Sequence, residues 1–281
     1  MRTLKVTLLG TGTPRLQTNR YGSSALVEAG AEKLIIDCGR CTLQRLFENG
    51  TPMLEVNKLF LTHLHSDHTV GIPDLWLTPW AFGRKGPLFV WGPKGTRKMM
   101  AKFEEAFEFD LQMRPVHDKI LREDARVECE EIEEGLIYEA GGLGVTAFEV
   151  DHRPVRPAYG YRIDFEGRSV VISGDTRFSE NLIRFSQGVD VLFHNVAGVH
   201  KDDTGLSERE RSISDLHLTP EEAGEVFSRS SPKLAVYTHM VLYSDIGEII
   251  SRTRKTYDGP LEIGEDLMSF HVGDTVRVIR P

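Results

Sequence analysis

The segment Thr62-His63-Leu64-His65-Ser66-Asp67-His68 carries the strongest signal in this sequence. Three imidazoles and a carboxylate fall within six residues, directly after an apolar, strand-like run over 57–61. Imidazole nitrogens and carboxylate oxygens are the donors that zinc and similar ions take. A loop at the carboxyl end of a strand is also where α/β sheets place their sites. One tight turn cannot aim four groups at a single ion. Alternation turns His63 and His65 to one point and Asp67 and His68 to another, so the spacing suggests two ions. A polar loop rich in histidine by chance is the bland alternative. With ten histidines in 281 residues, chance is a poor explanation for three of them clustered beside an aspartate.

Further donors must come from distant strand ends. Four positions follow that rule: Asp151-His152 after a run ending at Val150, Gly174-Asp175-Thr176 after 169–173, His194 after 189–193, and Thr238-His239 after 234–237. Taken singly, a His or Asp delivered by an apolar strand more often caps a turn or the next helix.

Strand patterns, short, β-branched and punctuated by glycine, cover 4–9, 24–28, 33–37, 57–61, 87–91, 158–165, 169–173, 189–193 and 233–237, with more strands at the C-terminus. Helical patterns cover 40–48, a stretch from about Asp67 through Leu75-Trp76-Leu77, then 95–107, 179–187, 219–228 and 245–255. The middle, 111–150, reads as several strands with turns at Glu134-Gly135 and Gly141-Gly142. This irregular order, with runs of adjacent strands, argues for sheets covered by helices and against a regular βαβ barrel. No repeat or Pro/Gly/Ser linker divides the chain, so a single domain over 1–281 is expected.

A hydrophobic fraction of 40% with 27% charged residues suits a soluble globular protein. There is no apolar stretch of about 18 residues to span a membrane, and no secretory signal pattern at the N-terminus. Thirty-four Lys and Arg against 42 Asp and Glu leave a net charge of −8, which disfavours nucleic acid as a partner unless a local basic patch exists. Three cysteines make no disulfide framework and fit a reducing cytoplasm. Cys38 and Cys41 have redox or zinc-ribbon spacing, but without a second pair they read as buried or half-buried thiols beside a turn.

The sequence resembles the metallo-β-lactamase superfamily over essentially its whole length, and within it the branch of ribonuclease Z and the related phosphodiesterases and arylsulfatases. The matching pieces are Leu9-Gly10-Thr11-Gly12-Thr13-Pro14, Ile36-Asp37-Cys38-Gly39, the 63–68 segment, Val150-Asp151-His152, Ser173-Gly174-Asp175-Thr176 and Thr238-His239. The resemblance implies a four-layer αβ/βα sandwich with metals at the open edge between two sheets. It implies two divalent ions, zinc first, with manganese or iron as alternatives. His63, His65 and His152 would hold one, Asp67, His68 and His239 the other, and Asp175 would bridge them. Histidine at position 65 speaks against the di-iron redox members, and Asp175 speaks against the true β-lactamases. Ser214-Asp215-Leu216-His217 looks like the ribonuclease Z branch's motif for a proton-donating histidine; a simple capping-region residue just ahead of Leu218-Thr219-Pro220, a helix start, is the bland alternative for His217. Two departures stand out. Asn195 occupies the place of a glutamate that usually orients the donor, and the long glycine-rich basic arm that grips tRNA is missing between Ser173 and the C-terminus. A homodimer is what the resemblance suggests.

Two ions close together can hold a bridging hydroxide as nucleophile, since zinc lowers the pKa of bound water to about 7. Asp67 and His217 are the candidate catalytic residues, His217 as donor to the leaving group. Asp37 is a candidate acceptor behind a histidine ligand, or a turn former. Arg153, Arg156 and Arg177 adjoin ligands and could grip an anion, or pair with the chain's many acids. Trp76, Trp80 and Phe82 could reach a pocket mouth, or be core. His194 and Asn195 complete the substrate-side candidates. The polar stretch 195–214 is expected to form a lid. The expected activity is hydrolysis of a small anionic ester, a phosphodiester first, with a sulfate ester or lactone as rivals. The alternatives are a ribonuclease Z-like RNA-processing phosphodiesterase and a non-catalytic metal-binding protein.

Overall fold

The computed structural model of the protein describes residues 3–199, 205, 207–242 and 245–281. Strands β1 (Leu4–Gly10), β2 (Ser24–Ala29), β3 (Glu32–Ile36), β4 (Lys58–Phe60), β5 (Leu88–Gly92) and β6 (Val127–Glu131) build one sheet. A second sheet holds β7 (Gly135–Ala140), β8 (Leu143–Glu149), β9 (Tyr159–Phe165), β10 (Arg168–Ile172), β11 (Val191–Ala197), β12 (Leu234–Val241) and β13 (Leu261–Ile263). The chain then returns to the first sheet through β14 (Ser269–Val272) and β15 (Val276–Ile279), giving the orders β15-β14-β1-β2-β3-β4-β5-β6 and β13-β12-β11-β10-β9-β8-β7. Strands β3 to β6 and β10 to β13 run parallel.

Most strands are apolar on both faces, and the period of two decides which layer each side chain enters. On β3, Leu34 and Ile36 point to the other sheet while Ile35 points to helices. On β10, Val170 and Ile172 enter the space between the sheets and Val171 enters the outer layer. The first sheet is covered by α1 (Thr42–Glu48), α2 (Ser66–Thr69), α3 (Ile72–Ala81), α4 (Thr96–Ala106) and α5 (Glu108–His117), which contribute Leu46, Trp76, Met100 and Leu111 to its outer core. The second is covered by α6 (Glu180–Phe185), α8 (Pro220–Ser230) and α9 (Ile246–Thr253), with Leu182, Phe227 and Ile249 inward; α7 (Glu208–Ser214), between α6 and α8 in the chain, gives no described residue to that core. The result is the expected helix–sheet–sheet–helix sandwich. Among the described residues no helix is long and apolar enough to cross a membrane.

Three local expectations are corrected. The helix expected from Asp67 onward is two helices, because the chain turns at Gly71, where a Cβ would stand 2.1 Å from the Gly39 carbonyl oxygen. Residues 108–117, partly assigned to strands, form α5; Arg114 pairs with Asp110 and Asp118 at the i,i+4 spacing of a helix, and Leu111 anchors it to the core. Cys41 is exposed at a left-handed φ of 64°, whereas Cys38 is buried.

Candidate metal centre

The donors gather at the same edge of the two sheets: His63 and His65 follow β4, Asp67 and His68 sit on α2 just beyond it, His152 and Asp175 follow β8 and β10, and His239 lies within β12. After β4 the chain continues through Leu61 and Thr62 to His63. There the sheets are tied together: Tyr161 Oη donates to the Leu61 carbonyl at 2.6 Å and the Tyr159 amide to the Thr62 carbonyl at 2.9 Å. Gly174, at φ 62°, permits this closeness; a Cβ there would lie 2.8 Å from Tyr159 O and 2.9 Å from Thr62 Cβ. Asp175 follows directly. His239 lies inside β12, which runs on past the expected end at Tyr237. Its register with β11 slips between His194 and Val196, so one extra residue of β12 bulges out, and His239 takes a φ of 43°. A bulge of this kind re-aims a side chain.

All seven donors predicted from the sequence come together. Ligand atoms of His63, His65, His152 and Asp175 lie within 4.8 Å of one another, as do those of Asp67, His68 and His239. His63 Nε2 is 2.9 Å and His152 Nε2 3.3 Å from His65 Nδ1. On the other side His239 Nε2 is 3.2 Å from Asp67 Oδ2, and His68 Nε2 is 3.6 Å from Asp67 Oδ2 and from Asp175 Oδ2. Two donors on corners of a zinc tetrahedron stand roughly 3.3 Å apart, so these separations fit a cation between them. The orphaned atoms fit as well: His68 Nε2, His239 Nδ1 and Asp175 Oδ1 are buried without a hydrogen-bond partner. Unpaired buried polar atoms are costly, and a bound cation is what would satisfy these three.

Behind the donors stand acceptors that set ring orientation. Asp37 Oδ2 lies 2.7 Å from His68 Nδ1, and the Asp37 carboxylate is held by the Thr62 amide at 2.8 Å. His152 Nδ1 is 3.2 Å from the Leu216 carbonyl, which leaves Nε2 for the centre. Burial alone would neutralise Asp175, but His239 and His68 outweigh it and hold its pKa well below the carboxylate range. Asp67 falls to about 2 against the same burial, through the hydrogen bond from His239 and the charge of His68. Burial opposes a charge on His68 too, yet Asp37 and Asp175 raise it well above the ordinary imidazole value. His63 is pushed well below that value by burial and by its imidazole neighbours.

His217 closes the site from the side, its ring 5.6 Å from that of His239 and 5.8 Å from that of His152. Burial lowers its pKa to about 4. Asn195 Nδ2 donates to the Thr176 carbonyl at 3.1 Å and meets His217 Nδ1 at 2.8 Å, so the amide orients the ring where the branch usually has a glutamate. His194 points away: its Nδ1 is 2.7 Å from the Asn195 carbonyl and its ring packs edge-on to Phe227 in the outer core.

A cavity of about 400 Å³ opens over the donors, walled by Pro14, Ile213, Leu216, Val241 and Leu242. The guanidiniums at this cavity are Arg15 and Arg209, not the three predicted arginines. Arg153 is exposed and paired with Asp151, and lines a different surface cavity with Arg156. Arg177 lines a neighbouring cavity on which His217 also borders. Trp76 is fully buried under the first sheet with Nε1 bonded to the Ala125 carbonyl at 2.8 Å, and Trp80 does the same to Leu121 at 2.9 Å; both are core. Phe82 is exposed and lines a third cavity, apart from the donors. Of the polar stretch 195–214, residues 200–204 and 206 lie outside the described residues; its end is α7, started by a Ser207–Glu210 capping box, which carries Arg209 and Ile213 to the cavity. Arg15 was within reach of sequence reasoning, since it directly follows the Thr13-Pro14 motif. Nothing in the spacing singles out Arg209.

The family model described as "Anti-Pycsar protein Apyc1" matches residues 4–206. Ribonuclease Z of Mycolicibacterium gilvum is 35% identical over 272 residues, covering 94% of both chains. Among solved structures, the metallo-β-lactamase fold protein YhfI of Bacillus subtilis superposes with a TM-score of 0.75 at 20% identity, over 96% of this chain and 100% of that one. The short form of human tRNase Z gives 0.68 at 21% identity, over 94% and 98%. With a buried His/Asp cluster suited to a divalent cation at the sheet edge, this chain belongs to the metallo-β-lactamase superfamily, in its ribonuclease Z and phosphodiesterase branch and in the family of the Apyc1 model, and is a metal-dependent hydrolase of the phosphodiesterase type.

Proposed function

We propose that the protein hydrolyses a small phosphodiester with two divalent ions, zinc first, held by His63, His65 and His152 on one side, by Asp67, His68 and His239 on the other, and by Asp175 between them. The observation that carries this is the convergence of buried, partly orphaned donors on the floor of a cavity of about 400 Å³. Ions bound there supply Lewis acidity and a water whose pKa is lowered to about 7. The protein's own groups do the rest. Asp67 and Asp175 stay ionised and offset part of the cationic charge. Asn195 holds His217 by Nδ1, which leaves Nε2 to face the leaving-group oxygen. Ile213, Leu216 and Leu242 shield the reacting atoms from bulk water and strengthen these electrostatic interactions. The cavity lies within the roughly 300–1,000 Å³ range of small-ligand sites.

A second reading, an RNA-processing phosphodiesterase, is favoured by the identity to a protein named ribonuclease Z. The net charge of −8 and the absence from the sequence of a long basic arm weigh against it. The test is hydrolysis of bis(p-nitrophenyl) phosphate by zinc- and manganese-loaded protein, beside p-nitrophenyl sulfate, a lactone and a pre-tRNA. Metal-dependent turnover of the phosphodiester is expected. Turnover of the sulfate or lactone alone would reject the phosphodiester, and efficient pre-tRNA cleavage would move the substrate to RNA.

A further inference from the structure

Asn195 decides which nitrogen of His217 carries hydrogen. It stands on β11 where the register with β12 slips, and both it and His217 are buried, so bulk water cannot stand in for either partner. Its Nδ2 lies 3.1 Å from the Thr176 carbonyl oxygen and 2.8 Å from His217 Nδ1. A carbonyl oxygen only accepts, so the end of the amide that meets Thr176 is the NH2 group. That same NH2 group meets Nδ1, which therefore accepts. Turning the amide over would set Oδ1 against the Thr176 carbonyl, acceptor against acceptor, in a buried place where an unmade hydrogen bond costs about 1–3 kcal/mol. Thr176 follows Asp175 directly, so one NH2 group ties the turn that carries Asp175 to the His217 ring.

An imidazole that accepts at Nδ1 is neutral and has its one hydrogen on Nε2. To act as a general acid it must first become an imidazolium, and the added Nδ1–H would point into the Asn195 NH2, donor against donor. Cations held by His239 and His152, whose rings lie 5.6 and 5.8 Å from that of His217, would oppose a positive charge there as well. What remains to the ring is hydrogen-bond donation. A neutral histidine held in this way polarises an oxygen without surrendering its proton.

We propose that Asn195, as a positioning residue, locks His217 in the Nε2–H tautomer, and that His217 serves the hydrolysis as a hydrogen-bond donor to the leaving-group oxygen and keeps its proton. In that step the bond from phosphorus to the attacking hydroxide forms as the bond to the leaving oxygen breaks; the leaving oxygen takes the electron pair and then a proton from water. This rests on the phosphodiesterase assignment above, so one arm of the test needs no turnover. In that arm, nitrogen-15 NMR of zinc-loaded protein labelled at its histidines reads the His217 tautomer, the signal being assigned by its loss in His217→Gln. Hydrogen on Nε2 alone is expected in the wild type, and Asn195→Asp, an acceptor of the same shape, should place hydrogen on Nδ1. Hydrogen on Nδ1, on both nitrogens or on neither in the wild type, or no change in a folded Asn195→Asp, overturns the proposal. The kinetic arm compares methyl p-nitrophenyl phosphate with methyl phenyl phosphate, whose leaving group is poorer. Glutamine offers an N–H but no transferable proton, so His217→Gln is expected to lower kcat by a similar factor for both esters, about tenfold, the scale of one altered hydrogen bond. A general acid would instead be missed on the phenyl ester by roughly 10²–10⁴-fold and little on the p-nitrophenyl ester, and that result overturns the proposal. Melting curves verify that the variants fold; where one does not, the wild-type tautomer decides. If the wild type cleaves neither ester but carries hydrogen on His217 Nε2 alone, the Asn195 lock stands and the phosphodiesterase assignment falls.

Discussion

Asp175 is the side chain that approaches both groups of the candidate donor cluster. Its Oδ2 lies 4.0 Å from His63 Nε2 and 3.6 Å from His68 Nε2, and its Oδ1 3.3 Å from His239 Nδ1. Asp175→Ala should therefore lower metal content on both sides and reduce turnover by at least roughly 10²-fold, the scale of losing one preorganised electrostatic group. Asp37→Ala, one step back, should weaken metal binding by roughly 10–100-fold with the fold intact, measurable by chelator competition. Protonation differs between the two sides. Without metal, burial lowers His63 and His152, whereas on His68 and His239 burial is outweighed by Asp37, Asp175 and Asp67 and the pKa rises. The raised pair stabilises the metal-free fold below an imidazole's ordinary value of about 6.5 and loses that contribution as pH climbs through the raised values. Metal must displace those protons. Between about pH 8 and 5, metal content per chain should thus fall first on the Asp67–His68–His239 side; simultaneous loss of all metal would contradict this. At this scale the 63–68 donors were legible because they are contiguous. Arg209 was not, because only the placement of α7 brings it to the cavity.

Elements were legible where local chemistry marks their ends. Thr219, Pro220 and Glu222 announce α8 through a capping box with proline at the first position, and Asp245 caps α9. Helix α5 was hidden because its helical signal lies in charge pairs around Pro115, with Leu111 its one buried residue. The bulge that aims His239 was hidden because a register slip leaves no mark in the apolar pattern. Two substitutions test the elements. Trp76→Ala should cost about 3–5 kcal/mol in urea unfolding, as a buried aromatic, and leave the KM for phosphodiesters unchanged. Gly174→Ala forces a Cβ against Tyr159 O and Thr62 Cβ at a left-handed φ. It should cost about 1–3 kcal/mol and lower turnover as well, because it displaces Asp175.

Across the whole molecule, the first sheet delivers the 63–68 donors and the second delivers His152, Asp175 and His239, so bound metal ties the two sheets at their shared edge. The layering was legible because two-sided apolar strands demand a cover on each face. The pairing order of the strands was not, since β14 and β15 return from the far end of the chain. Metal that binds only the folded chain at 100 times its Kd stabilises it by about 2.7 kcal/mol. Chelation should accordingly lower the Tm by at least roughly 5 °C, reversibly on adding zinc, as followed by scanning calorimetry. The most direct experiment is to titrate the metal-free protein with zinc while following both bound zinc and hydrolysis of bis(p-nitrophenyl) phosphate. Turnover that reaches its plateau with the second zinc per chain, and is lost in Asp175→Ala, is the expected result. Saturation with zinc without phosphodiester turnover, or full turnover in Asp175→Ala, would contradict a two-metal phosphodiesterase.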